Sequence, residues 1–433
     1  MLREARPDPG APAIDRGHVC LLAWYFPPMV TGGTYRPASL VKHGTDAGLE
    51  FTVIAAPLHQ DPSEASRYLV EQLPSTARVV RVPPPSLEPL PIAVPGLDGG
   101  AMNTLEVWRA ARRSFVDHRP EFVFATGPPF HTFVAAQLLA ARFGVPLVLE
   151  YRDEWTECPF DFVQAGRHDR TWEARCLSAA WRVIFTTGSQ LDRHVEVFPE
   201  LDRARCVVIP NGWEPDDGPP DTAGATSHPS DATATRPVGR RTIAFTGNLG
   251  DHTLPGGFLD CLAAAVARRP DLAERFTFRF VGRRSRQAAG QLDDFIVGGM
   301  VELKDQVSKR EVTRIVREVD GLLLLNPPAL RRYVPGKLYE YLAAGRPILV
   351  YGENGEAGAL VERLKAGPVV ADDDAAGLIE ALEWIEVQPG PLISGERKDW
   401  LARHTRETLA HRTIALLEAA RDDAAQPAPV SSR

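Results

Sequence analysis

Short apolar runs recur along the chain, separated by longer stretches with helical spacing. "VCLLAW" (19–24), "FTVIAA" (51–56), "EFVFAT" (121–126), "PLVLEY" (146–151), "RVIFTT" (182–187) and "CVVIP" (206–210) are apolar at successive positions. That pattern predicts strands buried on both faces, as in a parallel sheet. Between two of them, "TFVAAQLLAARFG" predicts a crossover helix stopped at Gly144, with Pro146 beyond the stop. From Glu214 to Arg240 large apolar residues almost vanish, and Pro, Gly, Ser, Thr and Ala take over. Such a stretch buries too little surface to offset its ordering entropy, which predicts a linker or flexible loop. The alternation then resumes with "RTIAFTG", "RFTFRFVG", "GLLLLN" and "PILVYG" as strands and "GGFLDCLAAAVARRP" and "KREVTRIVREVDG" as helices. Two halves with one rhythm predict two doubly wound α/β domains. The boundaries expected are a first domain over 1–215, a linker over 216–240, a second domain over 241–400, and a last helix ("DWLARHTRETLAHRTIALLEAAR") with a disordered tail over 401–433. The residues before about 17 read as a second disordered tail.

Length agrees with this division, because 433 residues exceed what one hydrophobic core holds. A net charge of −7 argues against nucleic acid as the main partner. The five cysteines show no CxxC pair and no Cys/His cluster at ligand spacing, so they read as reduced thiols of a cytoplasmic protein with no structural metal. The N-terminal segment lacks the apolar core of a secretory signal, and no apolar run reaches the length of a spanning helix. "LEVWRAARRSFVDHR" sets Trp108, Phe115 and Val116 beside Arg109, Arg112 and Arg113. A solvated helix with its apolar side on the core is the favoured reading over one lying on anionic lipid.

In open α/β sheets ligands bind beyond the carboxyl ends of the strands, so candidate chemistry is sought there. After the first strand, Gly32 and Gly33 would admit an anionic ligand close to backbone N–H groups, with Arg36 near the following helix start. Taken alone the glycine pair reads equally as a plain turn. After "EFVFAT" comes His131, and after "PLVLEY" come Arg152, Asp153, Glu154 and Glu157. A lone histidine among aromatics reads first as a structural hydrogen bonder, yet His131 and Asp153 stand at strand ends of one sheet and could face one cleft. In the second half, "FTGNLGDH" supplies Gly247, Asn248 and Gly250, and "FVGRRSR" supplies Gly282, Arg283 and Arg284, where guanidinium groups suit a diphosphate as well as a solvated turn. "VPGKLYEYLAAG" puts Lys337 and Glu340 one turn apart on a helix behind a Pro-Gly bend. The helix start and Lys337 would attract phosphate, and Glu340 could accept hydrogen bonds from a ribose diol. "DDD" at 372–374 reads as a helix cap rather than a metal site.

Together with the two-domain rhythm, "WYFPPMVTGGTYRPASLVKHGTDAGLEFTVI", "IPNG", "FTGNLG", "LKDQVSKREVTRIVREVDGLLL" and "PGKLYEYLAAGRPIL" resemble glycosyltransferase family 4. The similarity is greatest to the branch with P-x-K-x-x-E-Y-L-A-A-G. The resemblance implies the GT-B fold, two Rossmann-like domains facing each other across a cleft. It implies transfer of a sugar from a nucleoside diphosphate sugar, UDP or GDP, to a small-molecule or lipid-linked acceptor, usually with retention of configuration. No bound cofactor and no metal are expected. Glu340 would hold the ribose, and Arg332, Tyr333, Val334, Pro335, Gly336 and Lys337 would wrap the sugar and phosphates. Gly32 and Gly33 would approach the diphosphate, and Leu303 and Lys304 would lie near the base. His131 or Asp153 would orient the acceptor. The chain departs from the family's E-x7-E pattern at its first glutamate, where Arg332 stands. No Lys or Arg follows the "TGN" loop, which leaves Lys337, Arg283 or Arg284 to meet the diphosphate. A nucleotide-sugar epimerase of the same fold and a non-catalytic partner subunit are the alternatives. Membrane contact is not favoured, and the oligomeric state stays open.

Overall fold

The computed structural model describes residues 17–58, 64–83, 100–160, 165–166, 168–215, 239–250, 253–296, 299–388 and 390–425. The expected linker, apart from its last two residues, and the tails before residue 17 and after residue 425 lie outside the described residues. The first sheet has seven strands, β1 (His18–Ala23), β2 (Glu50–Ala55), β3 (Arg78–Arg81), β4 (Phe122–Gly127), β5 (Leu147–Tyr151), β6 (Arg182–Phe185) and β7 (Cys206–Val208). The order is β3-β2-β1-β4-β5-β6-β7, with every pairing parallel. The second sheet has six, β8 (Arg241–Thr246), β9 (Phe276–Val281), β10 (Val301–Lys304), β11 (Gly321–Asn326), β12 (Ile348–Gly352) and β13 (Val369–Val370). Its order, β10-β9-β8-β11-β12-β13, is parallel throughout.

Continuous apolar runs became central strands because both faces are covered. In the first domain Cys20 and Leu22 face a cluster with Phe133, Leu139 and Leu177. On the other face Val19 and Leu21 pack with Val41, Ile414 and Leu417. In the second domain Ile243 and Phe245 face Leu262 and Leu382, while Ala244 and Leu322 face Leu338 and Tyr341. Each sheet reverses its winding at one place, between β1 and β4 and between β8 and β11. The loops after these four strands therefore open at the crevice where such folds bind ligands.

One expected element is divided. The apolar periodicity of 399–421 predicts a single helix, whereas the chain forms helices Gly395–Ala402 and Arg406–Ala425. Between them the backbone is spent on Trp213: Trp213 N–H donates to His404 O at 3.2 Å, and Arg406 N–H donates to Trp213 O at 2.9 Å. That crossing redirects the last helix onto the first domain, where Leu409, Ile414, Leu417 and Ala420 complete the outer face of the sheet. Among the described residues no helix is long and apolar enough to cross a membrane.

Candidate active site

A cavity of about 650 Å³ lies between the strand ends of the two sheets. Its wall includes Gly32, Gly33, Arg36, Asp153, Gly247, Tyr333, Val334, Pro335, Gly336, Lys337 and Glu340, so most of the residues singled out above converge. Others do not line it. His131 opens helix His131–Phe143, fully buried, with its ring edge-on to Trp24 at 4.5 Å. Leu303 and Lys304 end β10, where Lys304 Nζ donates to Glu311 at 2.9 Å. Arg283 is exposed and donates to Gln306 at 2.5 Å. Asn248 lies outside the wall, as does Arg332, whose guanidinium grips Glu154.

The second-domain side is built on helix Gly336–Ala344, whose first turn has no side-chain cap. The positive end of the helix dipole therefore lies at the cavity wall, at Gly336. The helix is held at both ends. Tyr341 Oη accepts the Thr246 N–H at 2.8 Å, tying the helix to the end of β8. Buried Arg397 donates to Leu342 O at 2.9 Å and to Tyr341 O at 3.3 Å, satisfying carbonyls of the last turn. Gly345, at φ 77°, then ends the helix in the left-handed region.

Lys337 lies with Nζ 3.8 Å from the centre of the Phe245 ring. Gly247 has φ 123°, where a side chain is strained, and a Cβ there would stand 2.8 Å from Lys337 Nζ and push it aside. Among the described residues Lys337 makes no hydrogen bond or ion pair. Desolvation pushes its ammonium down to about 7, partly offset by the charge of Glu340. Glu340 pairs with Lys309 and stands 3.7 Å from Arg406 of the last helix.

On the first-domain side the arginines are engaged. Arg36 donates to Glu150 at 2.7 Å, Pro210 O at 2.5 Å and Ile209 O at 2.8 Å. Arg152 donates to Thr126 Oγ1 at 3.0 Å and to Pro128 O, and a Cβ at position 33 would overlap its Nη1. Burial raises the Asp153 carboxyl above its usual range, with adjacent Arg152 pulling it back. Phe124, Leu40, Leu409 and Ala410 give the cavity an apolar floor.

Sequence reasoning missed Glu150 and Arg406 as wall residues. A carboxylate inside the buried strand "PLVLEY" was a usable signal for Glu150. Nothing local announces Arg406, which reaches the site because the last helix crosses domains.

Residues 31–212 match the model of the "Glycosyl transferase 4-like domain". That match spans most of the first domain. No curated protein matches the chain. Among solved structures, a glycosyltransferase from Rickettsia africae ESF-5 aligns over 94% of this chain and 99% of its own, with TM-score 0.64 and 12% identity. Anabaena Alr3699/HepE in complex with UDP-glucose aligns over 94% and 99%, with TM-score 0.57 and 13% identity. A UDP-GlcNAc 2-epimerase from Methanocaldococcus jannaschii aligns over 93% and 99%, with TM-score 0.58 and 9% identity. These likenesses establish the fold: two Rossmann-like domains in the GT-B arrangement.

Proposed function

We propose that this glycosyl transferase 4-like protein moves a sugar from a nucleoside diphosphate sugar to an acceptor bound in the cleft, with retention of configuration. The observation that carries the reading is Lys337: a desolvated ammonium with no ion pair among the described residues, at a helix start without a side-chain cap, lining the same cavity as Gly32 and Gly33 of the other domain. A diphosphate placed there would meet a cation and aimed amides where charge develops as it leaves, typically the largest catalytic contribution in such chemistry. Glu340, one turn on, is the candidate ribose ligand. Asp153, raised by burial, is the candidate partner for the acceptor's hydroxyl. His131, buried edge-on to Trp24 and outside the cavity wall, is given a structural role instead of contact with the acceptor. The apolar floor favours an acceptor with apolar surface, and the UDP-glucose complex of Anabaena HepE makes UDP the first nucleotide to try.

A panel of UDP-, GDP- and dTDP-sugars read by thermal shift tests the proposal, followed by turnover with and without acceptors. One nucleotide class should raise the melting temperature by several degrees. No shift with any of them overturns the reading. Conversion of a UDP-sugar to its epimer without acceptor would move the assignment to the epimerase alternative, which the shared fold accommodates.

A further inference from the structure

We propose that Glu154 is a positioning residue: with Arg332 and Tyr333 it latches the donor-side loop of the second domain onto the first. The inference rests on the function proposed above and deepens it. The Glu154 side chain is fully buried, and both its oxygens are used across the cleft. Oε1 accepts from Arg332 Nε at 2.8 Å, and Oε2 accepts from Arg332 Nη2 and from the Tyr333 hydroxyl at 2.7 Å. Arg332 also donates to Glu157 O at 2.9 Å, and its own carbonyl accepts from Thr187 Oγ1 at 2.6 Å. Residue 332 is thus held to the first domain by both backbone and side chain. Beside it, the Tyr333 ring lies 5.2 Å from Phe160, and Val334 O accepts from Asn211 Nδ2 at 3.4 Å.

Both arms of the latch end at candidate reactive groups. Glu154 directly follows Asp153, and Arg332 to Val334 lead directly into Pro335, Gly336 and Lys337. Fixing one pair therefore sets the separation of Asp153 from Lys337 across the cavity. The two-pronged match of guanidinium to carboxylate imposes orientation as well as proximity, which a lysine cannot reproduce. A fully buried carboxylate is also costly without its partner, so the contact favours two states, engaged or apart, over graded intermediates. The chemistry at position 332 then reads as a docking contact with the opposite domain rather than a contact with the donor sugar.

The test compares the parent with Glu154→Gln, Arg332→Lys and the swap Glu154→Arg/Arg332→Glu, by hydrogen–deuterium exchange with and without UDP. In the ligand-free single variants, exchange over 328–337 should rise roughly tenfold or more. UDP, bound chiefly by the second domain, should protect 152–157 in the parent but not in Glu154→Gln, and the swap should recover part of that coupling. In UDP-glucose turnover the single variants should lose kcat about tenfold or more, with KM within roughly threefold. Unchanged exchange over 328–337 in both single variants, or full UDP protection of 152–157 in Glu154→Gln, overturns the latch. Absence of UDP binding by the parent would count against the nucleotide-sugar reading, while ligand-free exchange still decides the latch.

Discussion

At the scale of single residues, Lys337 makes the sharpest commitment. Its ammonium sits at about 7 without ligand, and a neighbouring anion favours the charged form and raises that value. Binding therefore takes up a proton when the solution lies above about pH 7, and takes up none well below it. A sugar diphosphate has no phosphate titrating near neutrality, so its affinity should fall by up to about tenfold per pH unit from about pH 7 upward. Calorimetry in two buffers of different ionisation heat measures the uptake, and Lys337→Met should abolish it. Flat affinity between about pH 7 and 9 would remove Lys337 from the anion site. The sign for stability is independent of ligand. The unfolded chain is the better proton binder between about 7 and the ordinary lysine range, so this group's contribution to stability increases with pH across that window. In turnover, Lys337→Ala should cost about 10²–10³ in kcat. Glu340→Ala should instead weaken donor binding, and unchanged nucleotide-sugar affinity by calorimetry would count against the ribose assignment.

At the scale of elements, helix Gly336–Ala344 is aimed by what grips its far end. Arg397→Met would strip the bonds to Tyr341 O and Leu342 O inside the core, with an expected loss of about 1.5–3 kcal/mol in a denaturant melt. A shift within error would show that solvent replaces the guanidinium. The same scale shows what the sequence made legible. Central strands such as β4 and β11 are buried at every residue, and an unbroken apolar run announces that. The strands β3 (RVVR), β10 (VELK) and β13 (VV) went unread, because each is at most four residues long and the first two carry charge among their few positions. The glycine loops and "VPGK" were legible because backbone approach and helix starts demand particular residue types. The pairing of Arg332 with Glu154 was not, since two residues 178 positions apart carry no mark of their meeting.

At the scale of the whole molecule, the last helix belongs to the first domain. Burying Leu409, Ile414 and Leu417 contributes about 1.5–3 kcal/mol each, a sum comparable to the stability of an ordinary domain. Truncation after Arg403 should therefore unfold the first domain or drive it to aggregate, while the second keeps a cooperative melt. Two transitions by circular dichroism, with the first domain's midpoint unchanged, would refute this.

That crossing also orders events during synthesis. A nascent chain ordinarily assembles its leading half first, as it leaves the ribosome. Here the leading half exposes the faces of Val19, Leu21 and Val53 until residues beyond 405 emerge, so the trailing half can mature earlier. The interval between is when a holding chaperone would be needed, and a stalled ribosome would leave a sticky intermediate rather than a finished half.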